Sequence, residues 1–416
     1  MTAAGTAGPG AGAAVVTGLG VIAPNGLGAK AFWEAILEGR SGIDTIRRFD
    51  PSSYPVRIGG EVLDFVPDGL LPKRLLPQTD RMTQHALVAT DWALADAGVD
   101  PARLEEFGAG VITAGGSGGF EFGQAELEKL WGDGPERVSA YQSFAWFYAV
   151  NTGQISIRNG LRGHSSVVVS EQAGGLDAAA HAVRLLRDGT IGLAVTGGFE
   201  ASLCPWGLVA QVPSGLLTEA LDPQRAYLPF DAAAGGWVPG EGGAVLIVER
   251  ADAARARGAG QVYGRLAGHA ATFDPRPGSG APPALEQAIR LALQRARVLP
   301  EDIDVVFADG AGVPRQDRAE AEALASVFGP AGVPVTVPKS MTGRLYAGGS
   351  ALDLACAFLA MRDSVVPPTV GTREVPADLR LDLVLEQPRE LPVRNALVVA
   401  RGSGGFNAAT VVRRHP

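Results

Sequence analysis

Apolar positions along this chain follow two rhythms. Short runs rich in β-branched residues lie at 14–22, 110–114, 167–169, 191–196, 302–308, 396–400 and 408–412. Each predicts a strand, and the last two predict a closing hairpin. Between them, apolar residues recur three and four apart, which predicts helices over 29–38, 80–97 and 350–361. The stretch 165–190 is the most organised. Val167, Val168 and Val169 predict a buried strand, and the chain then turns over Ser170 to Gly175. From Leu176 the helical spacing runs through Ala180, Val183, Leu185 and Leu186, closed by Arg187, Asp188 and Gly189. A strand, a tight turn and a helix put the turn residue where backbone N–H groups and the positive end of a helix dipole converge. Such a place suits a nucleophile or a developing anion.

The order then partly repeats. The strand at 302–308 and the turn and helix over 338–361 echo the strand near Val15 and the elbow at Gln172. An internal duplication is expected, with a flexible tail over 1–13 and two halves over 14–255 and 256–416. Of 416 residues, 46% are hydrophobic and 19% charged, enough for a large core. The net charge of −8 disfavours nucleic acid as a partner. No apolar run reaches membrane-spanning length. The first residues lack the basic and apolar regions of a signal peptide. Cys204 and Cys356 do not make a disulfide framework, so a reducing cytoplasm is expected.

The candidate chemistry centres on Gln172, the elbow residue. An amide is a poor nucleophile, so the elbow alone leaves two readings open: a polar residue satisfied in a turn, or the architecture of a nucleophile site without its nucleophile. The run 115–119 follows a strand and lacks the lysine of a P-loop, so close backbone packing is expected rather than phosphate binding. Cys204 has no base in its sequence setting. The five histidines, His85, His164, His181, His269 and His415, lack metal-ligand spacing and read as surface or satisfied residues, and no metal is expected. Glu241 reads as a buried, hydrogen-bonded turn residue. Phe120, Gly123 and Leu127 share one helical face, expected to continue into a buried region over 145–155.

The elbow, SEQAGGLDA from Ser170 to Ala178, resembles the TACSSGLDA motif of the β-ketoacyl synthases of the thiolase superfamily. Gln172 stands in place of the acyl-accepting cysteine. The opening segment around residues 15–43, the PFD at Pro229 to Asp231 and the GEGGA at Gly240 to Ala244 also resemble that family. Two histidine motifs do not survive. Asp309 replaces one histidine and Arg344 the other, while Lys339 remains. Arg401 and Ser403 replace the two phenylalanines of the gating loop. Three motifs lost within an intact scaffold resemble the chain length factor, the β subunit of type II polyketide ketosynthases.

The resemblance implies a thiolase-like α/β fold with duplicated halves in a five-layer αβαβα sandwich. Asp309 and Arg344 would face one another as a buried ion pair. No residue would act in condensation, and no cofactor would be bound directly. The chain would pair with a catalytic ketosynthase through an apolar interface of more than about 2,000 Å². An acyl carrier protein would deliver phosphopantetheine-linked acyl chains to the pair. Phe120, Gly123, Leu127 and Trp206 would wall the tunnel for the growing poly-β-ketone. With no side chain at Gly123, open space is expected there and a product nearer a decaketide than an octaketide. Two alternatives stand beside this: a malonyl-carrier decarboxylase or priming subunit using Gln172, and a catalytically silent scaffold.

Overall fold

The computed structural model describes residues 12–276 and 278–416. The expected tail lies outside the described residues, apart from Gly12 and Ala13. From the centre outward, the first set of strands runs Ala14–Ala23, Gly242–Arg250, Leu193–Glu200, Ala109–Ala114 and Ser165–Val168. The second set runs Gly264–Phe273, Phe406–Arg413, Asn395–Gly402, Val305–Phe307 and Pro334–Thr336, with Asp382–Leu383 added at its edge. Leaving that edge strand aside, both sets read first, fifth, fourth, second, third in chain order. Both pair antiparallel near the centre and parallel toward the edge. The innermost strands meet antiparallel, Val15 opposite Arg265, and Arg265 in turn lies opposite Arg413.

Two helices, Gly174–Arg187 and Gly349–Asp363, lie between the sheets and touch strands of both sets. Every residue from Gly349 to Met361 is buried, so this helix is enclosed all round rather than on one stripe. The helices approach closely at Gly175, where a Cβ would run into the backbone of Ala351. On the outer faces, Arg81–Asp96 and Val150–Asn159 cover one sheet, and Leu285–Ala296 covers the other with Pro314–Phe328 beside it. The result is a five-layer αβαβα sandwich. Both faces of the central strands are covered, which is why Ala14–Ala23 and Leu193–Glu200 are buried at every position. No helix among the described residues is long and apolar enough to cross a membrane.

Three expectations need correction. The valine run is an edge strand, paired on one side only: Val167 and Val168 are half-buried, and Val169 is 53% exposed. The strand expected to end at Thr196 continues to Glu200 through Gly197 and Gly198. A Cβ at Gly198 would meet the Ala347 carbonyl, so glycine there serves close packing and does not break the strand. The region 145–155 is buried only in part: Ala145, Val150 and Ile155 are inside, whereas Trp146, Phe147 and Tyr148 are each more than a third exposed.

Phe358 is fully buried in the middle layer, its ring against Gly264 of the second set. Phe358→Ala should therefore lower unfolding free energy by about 3–5 kcal/mol, read from the denaturant midpoint.

Candidate functional site

The elbow is a single 3-10 turn, Glu171–Ala173, between the edge strand and the helix Gly174–Arg187. Glu171 has φ of +50°, the left-handed region that a side chain seldom adopts. Gln172 is fully buried, and neither atom of its amide has a hydrogen-bond partner. The amide lies against Gly349, the first residue of the other middle helix, where any Cβ would collide with it. Two helix N-termini thus converge on a side chain that cannot attack.

Asp309 and Arg344 meet beside the elbow. Arg344 Nη1 donates to Asp309 Oδ2 at 2.9 Å, with both side chains at most 2% exposed. The other oxygen, Asp309 Oδ1, accepts the backbone N–H of Arg401 at 3.0 Å, and Arg344 Nη2 donates to the Arg401 carbonyl. Lys339 pairs with Asp353 at 2.8 Å and donates to the carbonyls of Ala308 and Asp309. Burial alone would raise the Asp309 carboxyl, but Arg344 and Lys339 outweigh it and hold it below the usual range. Burial works against the Arg344 cation, and Asp309 and Glu171 more than restore it. The guanidinium also lies over the Trp237 ring, 5.0 Å from its centroid. Both positions are thus spoken for by a fixed ion pair.

The loop after this pair rests on the elbow: Ser403 N–H donates to Glu171 Oε2 at 2.8 Å, and a Cβ on Gly402 would press on Ser170 and Glu171. Arg401 reaches Asn407, the Gln316 carbonyl and Asp274. Trp237, Arg344, Arg401 and Ser403 enclose a small cavity of about 180 Å³. On the other side of Glu171 is a cleft of about 410 Å³, with Phe120 and Val169 on its wall and Glu171, Glu200 and Tyr346 among its lining.

The glycine run after residue 114 packs closely, as expected, but it also cradles a carboxyl group belonging to the chain itself. Gly116 N–H and Ser117 N–H donate to Glu200 Oε1 at 2.7 and 3.2 Å, and the Ser117 hydroxyl donates to Oε2. Burial nevertheless pushes the Glu200 carboxyl up to about 7 against those hydrogen bonds. Glu241 is held by Arg48 and Arg81, each at 3.1 Å, so its turn is ion-paired as well as hydrogen-bonded.

Of the tunnel candidates, Phe120 lines the cleft and stacks on Trp206 with centroids 4.7 Å apart. Gly123 does not face open space. A Cβ there would meet Trp146 Cδ1 at 2.7 Å and Trp206 Cζ3 at 2.8 Å, so two indoles already fill the gap that glycine leaves. Leu127 lies half-buried farther along the helix Phe120–Gly132. Cys204 caps the helix Pro205–Gln211 through its sulfur, and burial raises its thiol to about 11, which suits packing and not attack. His85 is not satisfied: it is fully buried, neither nitrogen has a partner, and burial with nearby Arg81 and Arg48 holds it neutral. Among the described residues, no cluster of three or more His, Cys, Asp or Glu is arranged to hold a metal ion.

Residues 13–254 match the β-ketoacyl synthase N-terminal domain, and residues 263–373 match the C-terminal domain. The chain belongs to the β-ketoacyl synthase family. Within it, the chain groups with the β subunits. It is 72% identical over 401 residues to the tetracenomycin polyketide synthase ketoacyl synthase beta subunit of Streptomyces glaucescens, covering 96% of this chain and 98% of that one. The solved ishigamide ketosynthase/chain length factor superposes with a TM-score of 0.89 at 28% identity, over 97% and 99% of the two chains. A type II polyketide synthase ketosynthase, bound to the hexaketide and in complex with its acyl-carrier protein, gives 0.86 at 27%, also over 97% and 99%. The chain has the elbow and two middle helices, with Gln172 at the elbow and the Asp309–Arg344 pair beside it.

Two outcomes follow from these contacts. Arg344→Met alone should cost about 3–5 kcal/mol by leaving Asp309 buried without its cation, and adding Asp309→Leu should recover most of that loss in denaturation midpoints. For Glu200, the folded carboxyl titrates near 7 against an ordinary 4.5. Its contribution to stability is therefore fully present below about pH 4 and is lost as pH rises toward 7. Glu200→Gln removes that loss, so the variant's melting temperature should gain on the parent's between pH 5 and pH 8.

Proposed function

We propose that this chain is the non-condensing chain length factor of a type II polyketide synthase. It pairs with a catalytic ketosynthase and shapes the tunnel that sets the length of the poly-β-ketone. The observation that carries this is the Asp309–Arg344 ion pair beside a buried Gln172. Decarboxylative condensation needs a nucleophile and two neutral donors for the enolate; here the three positions hold an amide, an anion and a cation locked to that anion. The repeated strand order supports two halves over 14–255 and 256–416.

The side that carries the edge strand supports the partner. Trp131, Ile157 and Val169 are 82%, 76% and 53% exposed, and Trp146, Phe147 and Tyr148 are part-exposed near them. An unpaired strand edge amid exposed aromatics is what a large obligate interface would cover. A second thiolase-fold subunit, by lining its own edge strand against this one, would roof the cleft beside Phe120 and make it a tunnel. Chain length would then be read at the Phe120–Trp206 stack. Acyl chains would arrive on the phosphopantetheine arm of an acyl carrier protein, loaded through the partner and in the cytoplasm. A priming role for Gln172 is less well supported: a malonyl thioester would have to reach an amide enclosed beneath Gly349, which lines neither cavity.

Intact mass spectrometry tests the silent elbow. Incubated with malonyl- or acetyl-loaded carrier protein, the isolated chain should gain no acyl mass, and a stable adduct would overturn the assignment. In the reconstituted heterodimer, Phe120→Ala should lengthen the polyketide by removing the ring at the tunnel wall. Product masses check this, and an unchanged length in a well-assembled complex would take Phe120 out of the tunnel.

A further inference from the structure

The polar groups of the cleft beside Phe120 can be followed one by one. Six polar side chains share its lining with Phe120 and Val169: Ser117, Glu171, Glu200, Ser202, Gln211 and Tyr346. Three of them are committed to the fold. The Ser117 hydroxyl donates to Glu200, whose carboxyl also takes two backbone N–H groups, and Glu171 accepts the Ser403 N–H. The other three form a chain of their own. Tyr346 O–H donates to Gln211 Oε1, and Gln211 Nε2 donates to Ser202 Oγ at 3.2 Å.

Three separate segments supply that chain. Ser202 follows the strand Leu193–Glu200, Gln211 ends the helix Pro205–Gln211, and Tyr346 precedes the buried helix Gly349–Asp363. Tyr346 sits at φ +48°, in the left-handed region that a residue with a Cβ seldom adopts. Burial and the nearby Glu171 raise its phenol, which therefore stays protonated and donates. The Gln211 amide is thus held at both ends, yet an amide nitrogen carries two hydrogens and Ser202 takes only one. Ser202 is buried, whereas Gln211 is half-buried. The second N–H of Gln211 is the donor left over on the wall of an otherwise apolar cleft. A few fixed polar groups in such a cleft are what orient a guest. A ketone oxygen accepts and cannot donate, so it matches this N–H. A fully reduced acyl chain offers no acceptor and would leave the donor unpaired.

Resting on the chain length factor reading above, we propose that Gln211 donates its free N–H to one ketone oxygen of the growing poly-β-ketone, with Tyr346 and Ser202 as the positioning residues that fix its amide. Gln211 lies five residues along its helix from Trp206, about 7.5 Å at 1.5 Å per residue. The chain is therefore gripped at a set distance from the Phe120–Trp206 stack. The stack decides where the chain stops, and the grip decides which carbonyl stands at the wall when it does.

The test is made on the purified heterodimer supplied with malonyl-loaded carrier protein. Gln211→Met keeps most of the side chain's bulk and removes its donor. Loss of that hydrogen bond should raise the ratio of off-length to parent-length polyketide about tenfold, read from product masses. Tyr346→Phe and Ser202→Ala only release the amide and should shift the ratio the same way by less. Adding Tyr346→Phe to Gln211→Met should shift it no further. Elution and melting temperature confirm assembly of each variant. An unchanged ratio in assembled Gln211→Met overturns the proposal. So does a fall in total product at an unchanged ratio, which marks a structural role alone. If Gln211→Met does not assemble, Tyr346→Phe decides on the same ratio. A parent complex that makes polyketide while its variants keep the ratio sinks only this inference, whereas one that makes none sinks the function on which it rests.

Discussion

The interior of this protein turns on a carboxylate and a guanidinium enclosed together where the two halves meet. Taking both from water costs several kcal/mol each, and one contact at 2.9 Å does not repay that by itself. The remainder comes from what surrounds them. The second oxygen of Asp309 takes a backbone N–H, the guanidinium holds a backbone carbonyl and lies on an indole, and Lys339 neutralises Asp353 behind them. Both of the pair's backbone partners belong to Arg401, so the ion pair fixes the loop that follows. That loop in turn rests on the elbow through Ser403 and Glu171. Removing either charge would loosen the place where the middle helices, the second sheet and the elbow come together.

Much of this was legible in the sequence because it is written in local chemistry. The elbow, the closing hairpin and the buried helix after Gly349 follow from apolar spacing and glycine placement. Asp309 and Arg344 could be expected to meet because each sits in a motif whose partner is known by resemblance. What escaped depends on contacts between residues far apart in the chain. Nothing near Glu200 indicates that a glycine loop more than eighty residues earlier will solvate it. The valine run looked like core, yet a run of β-branched residues reads the same at a sheet's edge as at its centre. Gly123 looked like an opening because a sequence records the missing side chain and not the two indoles that move into the gap.

The elbow separates the scaffold of a site from the side chains placed on it. The features that aim a nucleophile are architectural: a strand, a strained turn and two converging helix ends. They persist because the core is built on them, with Gly175 and Gly198 shaped to fit their neighbours' backbones. The features that perform chemistry are single side chains, and they are replaceable provided that burial is compensated. Gln172 fits as a neutral group, and Asp309 and Arg344 fit as a charge pair. Either one alone would be a buried isolated ion, so the two are physically coupled even though 35 residues separate them.

The innermost strands carry one more consequence. Val15 lies opposite Arg265, and Arg265 opposite Arg413, so the first and last strands of the fold end about two strand spacings apart, roughly 10 Å. They do so at the centre of the sheets, with the edge strand Ser165–Val168 four strands beyond the first. A linker of a few residues would span that gap. The polypeptide is in this sense nearly a closed ring: it could be joined end to end and reopened at a surface loop, or carry a fused domain at either end, with its outer strand edge left free.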